Sequence, residues 1–189
     1  MVSVNVLGIS GSLRAASTAR MALARTLEGA AAAGAETELL DLRELDLPLY
    51  DDDQARYTPA NRAAVARLQA AAEAADAFVL ASPEYHGGPS GVLKNAIDHL
   101  SGRHFRGKAA GLIAVAGGRV SPVTTAHMLR IVLRQLHAYV VPQQVALPEA
   151  EKLFDAAGSL TDAEQAQRLR ELGAEVVRLA RALGQVTNA

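Results

Sequence analysis

The chain has 189 residues, 50% apolar and 21% charged, with a formal net charge of −1. That length fits one domain able to bury its own core, and the near-neutral balance argues against nucleic acid or an anionic membrane as the main partner. The sequence contains no cysteine and no tryptophan. This excludes disulfides, thiolate metal sites, iron–sulfur clusters and cysteine-dependent phosphatases, and it leaves the core to Ala, Leu and Val.

The N-terminus lacks a basic start followed by an apolar run, and no stretch is apolar for the length of a membrane span, so the cytoplasm is the expected location. Val2 to Ile9 is β-branched and apolar, a buried first strand. A turn at Ser10-Gly11-Ser12 leads to a helix from Ser17 to Ala33, stopped by Gly34. Glu36 to Asp41 reads as a short second strand whose polar start suits a sheet edge. Residues 42–59 are irregular. Asp51-Asp52-Asp53 lacks the alternating ligands and closing Glu of a calcium loop and reads as a solvated loop.

Thr58 as cap and Pro59 in the first turn open a helix to about Ala75. Ala77 to Ala81 is a short, continuously apolar third strand, Ser82 to Pro89 a loop, and Ser90 to Leu100 a helix ending near Gly102. Lys108 to Ala116 is a fourth strand closed by Gly117-Gly118. Ser121-Pro122 repeats the cap-then-proline pair and opens a helix to about Leu136. Within it Leu129, Val132, Leu133 and Leu136 share a core-facing stripe. Tyr139 to Leu147 is a fifth strand. Thr161-Asp162-Ala163-Glu164 matches a capping box for a last helix that runs to Leu183, with Gly184 beyond it.

Five strand–helix alternations predict one α/β domain, residues 1–189, with a parallel sheet covered by helices on both faces. Ligands of such sheets bind beyond the carboxyl ends of the strands, where strand order reverses. The loops leaving strands one, three and four are also the most unusual in composition. They are Ser10 to Thr18, Ser82 to Pro89, and Ala116 to Arg119. The first has the chemistry of an anion site, with the hydroxyls of Ser10, Ser12, Ser17 and Thr18, a backbone opened by Gly11, and the Arg14 guanidinium at a helix start. A nucleoside triphosphate loop would need a Gly-Lys-Ser/Thr run that is missing here. A dinucleotide fingerprint stays open, with Ala15 or Ala16 replacing its third glycine and Asp41 in the place of the ribose-binding acid. It leaves the second loop unexplained, where Tyr85 offers a ring to a planar cofactor and Gly87-Gly88 offer close backbone approach.

Taken together, Gly8-Ile9-Ser10-Gly11-Ser12-Leu13-Arg14, Ser82-Pro83-Glu84-Tyr85-His86-Gly87 and Leu93-Lys94-Asn95-Ala96-Ile97-Asp98 resemble the NAD(P)H-dependent FMN reductases. The likeness is to the branch holding azobenzene and quinone reductases and two-component flavin reductases, and it covers nearly the whole chain. It implies a flavodoxin-like, doubly wound five-stranded parallel sheet of order 2-1-3-4-5. It also implies Ser10, Ser12, Arg14 and Ser17 around the FMN phosphate, with Leu13 and Thr18 of the same loop also at the cofactor. Pro83, Glu84, Tyr85, His86 and Gly87 would lie along the isoalloxazine ring, with Gly117 and Gly118 closing the pocket. The chain departs from the pattern at His86, where relatives carry Asn, and at Gly88-Pro89, where many carry Ser and a larger apolar residue.

The resemblance implies hydride transfer from NADPH or NADH to FMN, then reduction of a flavin, quinone, azo compound or similar small acceptor. It also implies a homodimer or homotetramer, with a subunit contact at Lys94, Asn95 and Asp98; a plain Lys94–Asp98 ion pair within the helix is the alternative. The five histidines show no close ligand pair, so no metal is expected. No side chain stands out as a catalytic group, and His86 reads as a positioning residue or a proton donor. Two alternatives stay open, a flavodoxin-type electron carrier and a flavin-free dinucleotide-binding dehydrogenase.

Overall fold

A computed structural model describes residues 3–155 and 158–187. Strands β1 (Val4–Ser10), β2 (Ala35–Asp41), β3 (Ala77–Tyr85), β5 (Ala109–Val115) and β6 (Tyr139–Val140) pair in parallel in the order β2-β1-β3-β5-β6. A two-residue strand, β4 (Gly88–Pro89), pairs antiparallel with the end of β3. Setting β4 aside, the order is the expected 2-1-3-4-5. The chain leaves β1 for β2 on one side and returns to β3 on the other, so the reversal of strand order lies between β1 and β3. Register across it is fixed by pairs such as Ser10 with Asp41 and Ser10 with Ala81.

The period-two alternation of the strands sorts the core into two layers. Val4, Val6, Ala77 and Val79 face α1 (Thr18–Ala32) and α6 (Ala163–Thr187). Leu7, Ile9, Phe78 and Leu80 face α2 (Pro59–Ala74), α3 (Gly91–Asp98), α4 (Gly102–Phe105) and α5 (Val123–Gln135). Leu129 and Leu133 are fully buried, with Val132 and Leu136 packed beside them, as the stripe predicts. Glycines bring α1 and α6 into backbone contact. A Cβ on Gly173 would collide with the Thr26 carbonyl, and one on Gly29 with the Arg170 backbone.

Several expected boundaries move. Val2 lies outside the described residues. Strand β3 runs on to Tyr85, because the loop expected at 82–89 folds back as a hairpin. Its turn residues His86 and Gly87 both have positive φ, 53° and 79°, as a two-residue turn matching strand twist requires. The fifth strand is split into β6 and β7 (Val145–Leu147), both paired with β5. Pro142, which has no N–H for a ladder, sits in the break. Arg130 stitches the break from α5, donating to the carbonyls of Val140, Val141 and Pro142 and to Gln144 Oε1 at 3.0–3.4 Å.

Capping also differs in places. Thr58 caps α2 as expected, with Asn61 completing a capping box, and Ser17, expected as the first residue of α1, is instead its cap. Asp162, not Thr161, caps α6, accepting the amides of Glu164 and Gln165 at 2.9 and 3.1 Å. The Thr161 hydroxyl turns away to the Leu153 carbonyl. Helix α6 continues through Gly184 to Thr187, since flanking helix formers carry a lone glycine along. Ser121 makes no cap on α5, whose first turn is held from elsewhere.

Candidate functional site

The loops after β1, β3 and β5 meet above the point where strand order reverses. Gly11 sets the first loop close to the sheet. Its N–H donates to the Ala81 carbonyl at 2.8 Å, and a Cβ there would lie 2.6 Å from Leu93 Cβ. Ser90 locks the arrangement. Its hydroxyl donates to the Gly11 carbonyl at 2.5 Å and accepts the Leu93 N–H at 3.2 Å, capping α3. Ser82 Oγ accepts the Ser90 N–H at 2.9 Å. These serines therefore hold two loops together.

A small cleft of about 70 Å3 lies between the loops, lined by Ser12, Arg14, Ser17, Thr18, Pro83, Glu84, Tyr85 and Gly117 among others. Ser17 Oγ accepts the Arg20 N–H at 3.1 Å and the Ser17 carbonyl accepts the Met21 N–H at 3.0 Å. This leaves the amides of Thr18 and Ala19, both lining the cleft, as the donors that a first helical turn offers to an outside acceptor. Hydroxyls, first-turn amides and a guanidinium together make the donor set a phosphate group requires, so the residues present fit FMN. Arg14 Nη1 meets Glu151 Oε1 at 2.6 Å, and the bond to this carboxylate raises the arginine's pKa.

The expected residues do not all reach this cleft. Ser10 lies beneath it, fully buried, with its hydroxyl unpartnered. Leu13, 55% exposed, does not line the cleft but faces the space between the first loop and α3. There it borders a groove of about 660 Å3 between the segment Leu42–Leu49 and α3. His86 and Gly87 form the tip of the β3–β4 hairpin. The Gly118 carbonyl accepts the Glu149 N–H at 2.8 Å. Asp41 is occupied structurally, accepting the Arg43 N–H and facing Arg20 Nε at 3.5 Å. Tyr85, 51% exposed, borders both the cleft and the groove.

The sequence reading missed Glu151 and the turn that carries it, Ala150–Lys152. The signal was available, because this turn also leaves the carboxyl edge of the sheet, after β7. Asn95, for which the resemblance implies a subunit contact, also has partners within the chain. Its side chain accepts the Tyr50 N–H and donates to the Pro48 carbonyl, both at 2.9 Å, and His99 Nε2 lies 2.9 Å from the same carbonyl. These contacts clamp the irregular segment as the groove's outer wall. Lys94 and Asp98 form the within-helix ion pair. The acidic run builds turns, with Asp51 and Asp53 side chains accepting the amides of Asp53 and Ala55.

Residues 4–152 match the family model described as NADPH-dependent FMN reductase. An NAD(P)H-dependent FMN reductase of Pseudomonas aeruginosa is 37% identical over 164 residues, covering 84% of this chain and 85% of the relative. An FMN-dependent NADPH-azoreductase of Staphylococcus aureus is 39% identical over 140 residues, covering 71% and 73%. An NADPH azoreductase of a Bacillus species is 38% identical over 112 residues, and the match spans 61% of that relative's length. Among solved structures, the flavoenzyme FerB, an NAD(P)H:(acceptor) oxidoreductase of Paracoccus denitrificans, superposes with a TM-score of 0.75 at 25% identity, covering 95% of this chain and 98% of that one. An archaeal flavodoxin shares the fold, with a TM-score of 0.66 at 9% identity over 94% of this chain and 99% of that one. The chain is a member of the NADPH-dependent FMN reductase family, flavoprotein oxidoreductases that use FMN and a nicotinamide nucleotide.

Proposed function

We propose that this NAD(P)H-dependent FMN reductase holds FMN across the cleft between its first and third strand loops and passes electrons to a flavin, quinone or azo acceptor. The observation that carries the reading is the convergence of Ser12, Arg14, Ser17 and Thr18 with Pro83, Glu84, Tyr85 and Gly117 in one cleft at the reversal of strand order. FMN, when bound, supplies the reversible acceptance of hydride, and the protein binds, orients and shields it. The first loop would hold the phosphate. Residues Pro83 to Gly87, with Gly117 and Gly118, would hold the ring.

Donor and acceptor would use the open side of Tyr85 in turn, where the larger groove offers room for a planar molecule. Names of relatives support azo and flavin acceptors and both nicotinamide nucleotides. Among the described residues no helix is long and apolar enough to cross a membrane, and a cytoplasmic location accords with this reading. A homodimer or homotetramer, joined through the α3 face, completes the proposal. Light scattering of the purified protein measures its mass directly.

The test is spectroscopic. Protein titrated with FMN should turn yellow and bleach anaerobically on addition of NADPH or NADH. Replacing Ser12 and Arg14 together by alanine should weaken FMN binding by more than tenfold. Unchanged affinity in that variant would place the phosphate elsewhere, and flavin that stays oxidised for minutes with either nucleotide would favour an electron carrier.

A further inference from the structure

We propose that Glu151 sets the affinity of the site by competing with the flavin phosphate for Arg14, which keeps the cofactor exchangeable. This rests on the phosphate reading of the cleft given above. Arg14 and Glu151 both line that cleft, together with Ser12, Ser17 and Thr18. Their side chains meet at 2.6 Å while each stays about 60% exposed, so an incoming anion can reach the pair. The guanidinium is thus engaged by an oxyanion of the protein itself.

Glu151 does not sit on a free arm. Its turn follows Glu149, which adopts a left-handed conformation with φ of 45°. The Glu149 N–H donates to the Gly118 carbonyl at 2.8 Å, and the Ala150 N–H to the Ala116 carbonyl at 2.9 Å. The turn that carries the carboxylate is therefore anchored to the loop after β5 that holds Gly117 and Gly118. The neighbouring acid, Glu149, engages different cations, Lys152 at 2.5 Å and Arg119 at 3.7 Å.

Glu151 engages the guanidinium through Nη1, and a bidentate grip on phosphate needs two of its N–H groups side by side. A phosphate dianion entering the cleft must displace the Glu151 carboxylate or share the guanidinium with it. Sharing places a carboxylate beside a dianion, which repels it. Removing the charge while keeping the shape abolishes the repulsion and leaves only a neutral acceptor to compete for the guanidinium. The pair is exposed, so the effect is modest and weakens with salt.

Flavin binding to apoprotein, followed by fluorescence quenching, tests this without any turnover. FMN and riboflavin serve as probes with and without phosphate. Glu151→Gln should tighten FMN binding by about two- to tenfold at low salt. It should leave riboflavin binding unchanged, which also shows that the variant is folded. Raising the salt should shrink the difference between variant and parent. Arg14→Ala should weaken FMN binding and leave riboflavin unaffected. If Arg14→Ala weakens FMN but Glu151→Gln leaves it equal or weaker, the competition is refuted and the cleft assignment stands. If Arg14→Ala leaves FMN affinity unchanged, the cleft assignment and the competition both fall.

Discussion

The carboxylate of Glu84, in the loop expected to face the flavin, accepts both the backbone N–H of Thr125 at 3.2 Å and its hydroxyl at 3.0 Å. Thr125 is the third residue of α5, so this contact caps a helix that Ser121 leaves uncapped. One side chain thereby ties the β3 loop to the helix behind it.

Glu84→Ala should therefore destabilise the protein by about 1–2 kcal/mol, the usual cost of a lost cap. At this chain length the melting temperature should drop by roughly 2–8 °C. Glu84→Gln, which keeps an acceptor oxygen, should lose less than half of that. A thermal melt of each variant checks the ordering. Equal melting of alanine variant and parent would show the cap to be dispensable.

His86 holds a left-handed conformation at the hairpin tip, with φ of 53°. Asn and Gly tolerate that region best, and β-branched residues tolerate it least. His86→Asn and His86→Gly should stabilise by up to about 1 kcal/mol, and His86→Val should destabilise by about 1–2 kcal/mol. Denaturant titrations measure all three. If the valine variant proves as stable as the parent, backbone strain does not select the residue at this position.

The α1–α6 contact allows no side chain at Gly173, where a Cβ would meet the Thr26 carbonyl. Gly173→Ala should cost about 3 kcal/mol or more, since backbone atoms must move apart to admit it. In the same helix, a Cβ on Gly184 would meet nothing within 4 Å. Gly184→Ala should gain about 0.5–1 kcal/mol from helix propensity. Opposite signs for one chemical change, read by denaturant unfolding, separate packing from propensity.

His104 is buried, and its Nδ1 accepts the Ser101 N–H at 3.0 Å. Burial, followed by the charge of Arg103, lowers its pKa from the ordinary 6.5. The unfolded chain then binds this proton more readily than the folded one. The stabilisation is complete above the unfolded value and is lost as pH falls through 6.5 toward the folded value. Melting temperatures measured from about pH 7.5 to about pH 5 should fall less steeply in His104→Asn than in the parent, because Asn can accept the same N–H and does not titrate. Parallel profiles would assign the acid sensitivity to other groups.

Which features could be read in advance follows from how local their causes are. The helix starts at Ser17 and Thr58 and the stop at Gly34 depend on caps and φ preferences within a few residues. Continuous apolar runs marked the buried strands, and a 3.6-residue pattern marked the Leu129–Leu133 stripe. The three unusual loops were legible as a candidate site because a parallel sheet places all its carboxyl ends at one edge. The split of the last strand was only half legible. Pro142 forbids a continuous ladder, but only packing shows Arg130 bridging the gap.

The sequence by itself determined the α/β alternation, because apolar runs, caps and turn residues suffice for it, and the flavodoxin-like order followed from the resemblance of its motifs to a known family. Only the tertiary structure decided the partners of each functional side chain. It sent Glu84 to Thr125, Asn95 to Pro48 and Tyr50, and Arg14 to Glu151, pairs separated by 41, 47, 45 and 137 residues. Charge and hydrogen-bond partners are selected by distance in space, and the folded sheet alone brings these atoms within reach of one another.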